Sequence, residues 1–410
     1  WPAGSFKSSL QEAIFKHTPA YKKENPMEQM TDTTIAFIGL GLIGGSIARG
    51  IKRARPDIHI MAYMRTRSKL EQARQDGIVD EILDGVDSRL SRCDLIFLCT
   101  PVEYNAQYLA TIRPFLKQGA LITDVGSTKT KIHEEILSLG LEDCFVGGHP
   151  MAGSEKTGYE NSTDHLLENA YYIITPARGL APEGEASGAS SSAAEDPSPN
   201  VQRIVRVAET IGAIPIVLDY REHDRITAAI SHVPHLIASG LVGLVRDNDS
   251  PRGLMKLLAA GGFKDITRIA SSSPEMWSQI CMTNARPIAD MLERYIASLS
   301  QILADVKEGR EDSIYRFFDA SRSYRNSITD RAKGSLEPAY EFSVDIVDEP
   351  GSISTLSVIL AAKGISIKNI GINNNRELGE GALKISFYDK DSMEAARRQL
   401  EKYKYELSPR

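Results

Sequence analysis

Gly147-Gly148-His149-Pro150 follows an apolar run, which sets an imidazole at the end of a buried strand. Imidazole exchanges a proton near neutrality, so a histidine in that place is a candidate general base. Two other apolar runs end in a similar way, at Cys99-Thr100-Pro101 and at Asp124-Val125-Gly126-Ser127-Thr128-Lys129. Ser127 stands where a helix begins, and its hydroxyl either caps that helix or bonds a substrate hydroxyl. Farther along come His223-Asp224-Arg225 and Ser231-His232-Val233-Pro234-His235. The i, i+3 spacing puts His232 and His235 on one helix face. No carboxylate or cysteine is spaced to complete a site with them, so no metal is expected. Lys264 and Arg268, four residues apart with Asp265 between, either present two cations to an anionic ligand or form an ordinary basic surface. Met276 and Trp277 suit a core, with one of them lining a pocket.

For these residues to meet a cofactor, a strand, turn and helix must stand beside them. Thr34–Ile38 reads as a buried strand, and Gly39-Leu40-Gly41-Leu42-Ile43-Gly44 leads from it into a helix through about Lys52. In that setting Gly39 makes the tight turn, Gly41 lets backbone amides approach a pyrophosphate, and Gly44 lets helix and strand pack closely. Free amides and the positive end of the helix dipole then bind the phosphates. A second strand covers 58–64. An acidic residue at its end would bond the ribose hydroxyls, yet Met64 stands there, followed by Arg65, Thr66 and Arg67. Two arginines suit a 2′-phosphate or are solvated charges, so the expected cofactor is NAD or NADP. Thr100 and Pro101 join the glycine loop and Arg65 as cofactor contacts, because ligands of doubly wound sheets bind beyond the strands' carboxyl ends.

The elements around these segments alternate. Strands end near Cys99, Val125 and Val146, helices cover about 104–115 and 128–138, and further strands fall at 171–175 and 214–218. Such alternation predicts an α/β dinucleotide-binding domain over 33–219, with a parallel sheet covered on both faces. Residues 1–32 read as a tail. Residues 177–200, rich in Gly, Ser, Ala, Pro and Glu, read as a flexible insertion. From 220 to 334 the spacing is helical throughout, giving an all-α substrate and dimerisation domain. Residues 339–410 run strand, helix, strand, strand, helix, short strand, the order of a ferredoxin-like α+β sandwich.

Composition bounds the rest. The 410 residues are 42% hydrophobic and 25% charged with a net charge of -6, which offers no electrostatic case for nucleic acid or a membrane surface. The apolar stretches read as shorter than a membrane span, and no secretory signal stands among the first 30 residues. The four scattered cysteines fit a reducing cytoplasm.

Taken together and in this order, Gly39–Gly44, Asp124–Lys129, His149–Glu155, Ser231–His235 and Gly261–Arg268 resemble the prephenate dehydrogenases, over about Thr33 to Tyr295. The resemblance implies that His149 accepts a hydrogen bond from the substrate's ring hydroxyl and that Ser127 assists it. It also implies that Arg268 binds a substrate carboxylate, that His235 and Lys264 shape the same pocket with His232 beside them, and that Glu155 lies near its entrance. Met64 departs from the acidic pattern of NAD users. The C-terminal unit resembles an ACT domain, whose ligand loop matches Asp348-Glu349-Pro350-Gly351 and whose neighbouring strand would bring Asn369 and Ile370 to that loop. Tyrosine is the implied effector, and a ligand-free dimerisation module is the alternative. Prephenate and arogenate both remain as substrates, with His235 and Lys264 favouring the keto acid. A 3-hydroxyacid dehydrogenase gives Gly147–Glu155 no role, and a redox-inactive sensor would not need His149, Ser127 and Arg268.

Overall fold

The structure is a computed structural model that describes residues 32–153, 156–178, 198–328, 340–347, 349–373 and 381–408. The expected tail, most of the expected insertion, Glu155 and Asp348 lie outside the described residues. The chain divides into two compact units, 1–334 and 335–410.

In the first unit the elements run β1 (Thr34–Ile38), α1 (Leu42–Ala54), β2 (His59–Tyr63), α2 (Arg67–Gln75), β3 (Glu81–Ile82), β4 (Leu95–Leu98), α3 (Asn105–Ile112), β5 (Leu121–Asp124), α4 (Thr130–Leu139), β6 (Phe145–Pro150), β7 (Tyr171–Pro176), α5 (Pro199–Thr210) and β8 (Ile214–Val217). The strands form one sheet in the order β3-β2-β1-β4-β5-β6-β7-β8. Its first six strands are parallel and follow the 3-2-1-4-5-6 order of a doubly wound dinucleotide fold. The expectation of a wholly parallel sheet is corrected at β7, which pairs antiparallel with β6 and parallel with β8. The β6–β7 connection holds a short turn at Tyr159–Asn161 and no crossover α-helix, which parallel neighbours usually need. Central strands are apolar on both sides because helices cover both faces. One layer packs Ile35, Phe37 and Phe97 against α1 and α5 residues, and the other packs Ala36, Ile38 and Ile96 against α3 and α4. Phe37 and Phe97 stack at 4.8 Å across neighbouring strands.

Beyond β8 the chain is helical: α6 (Tyr220–Thr227), a π-helical turn (Ala228–His232), α7 (Val233–Asn248), α8 (Leu254–Leu258), α9 (Gly261–Thr267), α10 (Pro274–Thr283), α11 (Ala285–Lys307) and α12 (Glu311–Ser327). Asp219 caps α6, accepting from the amides of Arg221 and Glu222. Tyr220–Asn248 runs on as 29 helical residues, whose most apolar 18-residue window has mean hydropathy 1.6. That corrects the expectation that every apolar stretch is too short: this one is long and apolar enough to cross a membrane, by length and composition only. Only 22% of its most apolar window is buried. Leu244, Leu257, Leu258, Met282, Ile296 and Phe318 on these helices are also more than half exposed. An apolar surface of that extent is a surface for association.

The second unit holds β9 (Tyr340–Ile346), α13 (Ser352–Ala361), β10 (Ile367–Asn373), β11 (Gly381–Phe387), α14 (Lys390–Lys402) and β12 (Leu407–Ser408), with the sheet ordered β10-β11-β9-β12. Phe342, Val344, Leu356, Leu383, Ile385 and Leu400 make its core. Gly364, at φ +68, ends α13, with the Ile365 amide reaching back to the Leu360 carbonyl. The strand carrying Asn369 and Ile370 was expected beside the β9 loop. It is instead the edge strand β10, separated from β9 by β11. Asn369 is exposed and Ile370 packs against the core, so neither reaches the loop from an adjacent strand.

Candidate active site

The glycine loop bends as its sequence requires. Gly39 takes φ +92, and a Cβ there would stand 2.6 Å from the Cys99 carbonyl oxygen. A Cβ on Gly44 would lie 2.9 Å from the Gly39 carbonyl oxygen and 3.0 Å from Cys99 Cβ. Beside Gly41, in contrast, no heavy atom lies within 4 Å of a built Cβ. The amides that open α1 therefore face open space, as the approach of a pyrophosphate needs. Leu40 is buried in the core and Ile43 packs against it, while Leu42 begins the helix. A cavity of ≈ 410 Å³ continues from Gly39, Leu40 and Gly41 past Met64 and Arg65 to Thr100 and Pro101.

At the far end of this cavity the Arg65 guanidinium lies 5.7 Å from the centroid of the Tyr104 ring. Arg67, its expected companion, turns away, where Glu71 at 3.2 Å and Asp84 bind it. One arginine of the two, Arg65, thus lines the cavity. The Thr100 hydroxyl donates to Asn105 Oδ1 at 3.0 Å, which fixes the β4–α3 turn. These residues fit a nicotinamide dinucleotide on the carboxyl edge of the sheet.

His149 ends β6, half-buried. The two glycines before it are steric requirements. A Cβ on Gly147 would meet Thr175 Oγ1 at 2.3 Å, and one on Gly148 would meet the Asp124 carbonyl oxygen at 2.7 Å and the Tyr172 ring at 2.9 Å. β6 therefore runs unusually close to both neighbours, and His149 emerges in one defined place. Its Nδ1 lies 2.8 Å from His223 Nε2, and His223 Nδ1 lies 2.8 Å from Asp224 Oδ1. Asp224 also accepts from the amides of Lys129 at 2.8 Å and Thr130 at 2.7 Å, the first amides of α4. That cap resolves the position of Ser127. It stands half-buried one residue before Thr128, and the α4 terminus is satisfied from α6 rather than by the Ser127 hydroxyl.

Beneath this chain lies a buried ion pair. Lys129 and Asp124 are both 0% exposed, and Lys129 Nζ also donates to the Gly148 carbonyl at 2.8 Å. Burial pulls the Lys129 ammonium below its usual range despite the Asp124 carboxylate. Desolvation, followed by His223, Lys129 and His232, holds His149 well below the ordinary imidazole value. His149 is therefore neutral at pH 7 and able to accept a proton. Burial raises the Asp224 carboxyl, but the hydrogen bond and charge of His223 and the bonds from Thr130 outweigh it and leave the group below its usual value.

His232 and His235 both reach Trp277, the first edge-on at 5.9 Å and the second stacked at 3.6 Å. His232 is 1% exposed, and its Nδ1 lies 3.0 Å from Asn284 Nδ2. Burial lowers its imidazole to about 4. His235, half-buried, has Nδ1 2.9 Å from the Ser231 carbonyl oxygen. Lys264 lies on α9 and Arg268 just after it, both exposed and outside the buried histidine cluster. Met276, expected in a core, is 47% exposed. The structure thus joins His149 to His223, Asp224 and Lys129, of which the sequence singled out only His149 as a site residue. The signal was an adjacent His-Asp pair opening a helix, but nothing local shows that it faces β6 across 74 positions.

Two family models match the chain: the nucleotide-binding domain of prephenate dehydrogenase over residues 47–183, and its dimerization domain over 219–320. A prephenate dehydrogenase of Bacillus subtilis is 36% identical over 92% of this chain and 97% of its own length. That of Lactococcus lactis is 36% identical over 90% and 97%. Among solved structures, prephenate dehydrogenase from A. aeolicus, bound to hydroxyphenyl propionate and NAD+, superposes with a TM-score of 0.65 at 27% identity, covering 73% of this chain and all of that one. With a doubly wound sheet, an open glycine cradle and a neutral histidine at its carboxyl edge, the chain belongs to the prephenate dehydrogenase family.

Proposed function

We propose that this chain converts prephenate to 4-hydroxyphenylpyruvate and carbon dioxide, passing a hydride to NAD or NADP, as the step toward tyrosine. The observation that carries the reading is His149, neutral and held near the end of β6, in the same sheet whose β1 leads into the glycine loop. The nicotinamide supplies the hydride acceptor. His149 Nε2 accepts the proton of the ring hydroxyl, electron density at that carbon expels the hydride, and the ring carboxylate leaves as carbon dioxide. Aromatisation makes the step effectively irreversible. Proton acceptance of this kind is worth roughly 10²–10⁴-fold. Ser127 orients the same hydroxyl, while Arg268, Lys264 and His235 hold the substrate's carboxylates, with His232 as a buried support. Glu155 belongs near the entrance. Gly39 to Gly44, Thr100 and Pro101 hold the dinucleotide, and Arg65 would meet a 2′-phosphate.

The remaining roles follow the division of the chain. Residues 33–219 bind dinucleotide, 220–334 bind substrate and pair two copies in a cytoplasmic homodimer, and 339–410 regulate. The βαββαβ succession and antiparallel order β10-β11-β9-β12 support a ferredoxin-like ACT domain for the last. Its ligand would be tyrosine, held near Asp348, Pro350 and Gly351 and acting as a feedback inhibitor. The test is absorbance at 340 nm with prephenate or arogenate, each with NAD or NADP, with and without tyrosine. Reduction with prephenate, suppressed by tyrosine, is expected. Reduction with arogenate alone would make the amino compound the substrate. No reduction under any condition would overturn the proposal.

A further inference from the structure

We infer that His223 and Asp224 act behind His149 as positioning residues, holding its proton on Nδ1 so that Nε2 presents a lone pair, and sharing the positive charge once Nε2 is protonated. This rests on His149 being the base of the proposed reaction.

The argument is one of donors and acceptors. An ionised carboxylate only accepts, so the 2.8 Å contact from Asp224 Oδ1 puts the proton of His223 on Nδ1. Burial keeps His223 neutral, which leaves its Nε2 as an acceptor. The ring atom facing it at 2.8 Å is His149 Nδ1, which must then donate. A neutral imidazole carries one proton, so His149 Nε2 is bare. Asp224 cannot drift, because its two oxygens also take the Lys129 and Thr130 amides that open α4. Asn284 Nδ2 donates to the Asp224 carbonyl at 2.8 Å and pins the backbone as well. One carboxylate thus ties the loop bearing Ser127 to the tautomer of His149. The charged and titratable groups around His149 are His223 and Asp224 from α6, Lys129 and Asp124 below, and His232 from the π turn. When the substrate proton reaches Nε2, the Nδ1–H bond polarises toward His223, and Asp224 stabilises the charge. No proton need pass to Asp224.

The test uses the full chain and four variants: His149→Asn, Asp224→Asn, His223→Gln and His223→Leu. An amide at 224 can donate to His223 Nδ1 and reverse the chain. Long-range ¹H–¹⁵N spectra should show His149 protonated on Nδ1 in the parent and as mixed tautomers in Asp224→Asn. That variant should lose on the order of 10²-fold in kcat with KM little changed, and the acid limb of kcat/KM should move. His223→Gln keeps an acceptor for His149 and should retain more rate than His223→Leu. Binding of reduced dinucleotide, followed by fluorescence, reports whether each variant is folded. Parental kcat, pH profile and tautomer in folded Asp224→Asn, with His149→Asn inactive, would overturn this inference alone. Near-parental rate in His149→Asn would overturn the base assignment beneath it.

Discussion

Lys129→Met removes the only ammonium from the buried pair under the site, and its cost follows from where the pair lies. Both side chains are fully buried, and Asp124 would be left with the Gly126 and Gly148 amides, at 2.9 and 3.2 Å, as its described donors. Removing one member of a buried pair typically costs roughly 3–5 kcal/mol, because the other charge remains desolvated. The exposed pair Lys69–Glu160, at 2.9 Å with side chains 34% and 48% accessible, is the control. Lys69→Met should cost no more than about 1 kcal/mol. In a unit of this size each kcal/mol moves the melting temperature by roughly 2–4 °C, so the two variants should separate by at least about 4 °C. Differential scanning calorimetry with dinucleotide absent reads the difference. A second readout is kinetic. Lys129 is one of the charges holding the His149 imidazole down, so the acid limb of kcat/KM should rise in pH in Lys129→Met. Equal melting of the two variants would refute the reasoning that burial makes this pair costly to break. An unmoved acid limb would refute the electrostatic coupling to His149.

Acid should destabilise the first unit before any carboxylate titrates fully. Burial lowers His133 to about 4 and His232 to about 4 from 6.5. Between those values the unfolded chain binds protons that the fold refuses, so these two groups lower stability as pH drops from about 6.5 to about 4 and add no slope above pH 7. Urea midpoints across that range check it, and a flat profile would count against the two histidines as buried neutral groups. His149→Asn should lose roughly 10²–10⁴-fold in kcat, with reduced dinucleotide still bound. Gly39→Ala should abolish dinucleotide binding, since φ +92 and a 2.6 Å approach to the Cys99 carbonyl leave no room; titration by fluorescence quenching is the measurement. Arg65→Ala should weaken NADPH binding more than NADH binding, and equal weakening would remove Arg65 from the 2′-phosphate.

Much of this was legible because it is local. A glycine turn between a buried strand and a helix announces itself through steric rules that act over six residues. Apolar runs and helical spacing likewise mark layers and segments, since each reports which side of an element meets solvent. The second unit's order of elements was readable for the same reason. Where the sequence misled, the cause was pairing. Antiparallel β7 and the edge position of β10 depend on which strand lies beside which, and no single segment encodes its neighbour. Arg67 looked like half of a phosphate clamp because its charge is visible in the sequence and its attachment to Glu71 and Asp84 is not.

The sequence alone determined that this chain carries a dinucleotide loop, a histidine at a strand end and a long segment of helical spacing after them. Tertiary structure decided what that histidine is. Its distance to His223, the cap that Asp224 gives to α4 and the burial of Lys129 beneath β6 all join residues from separate segments. Proton affinity responds to charges and desolvation within a few ångströms, whatever their separation along the chain. A histidine can therefore be found by its motif, but its protonation state is set only when the fold closes around it.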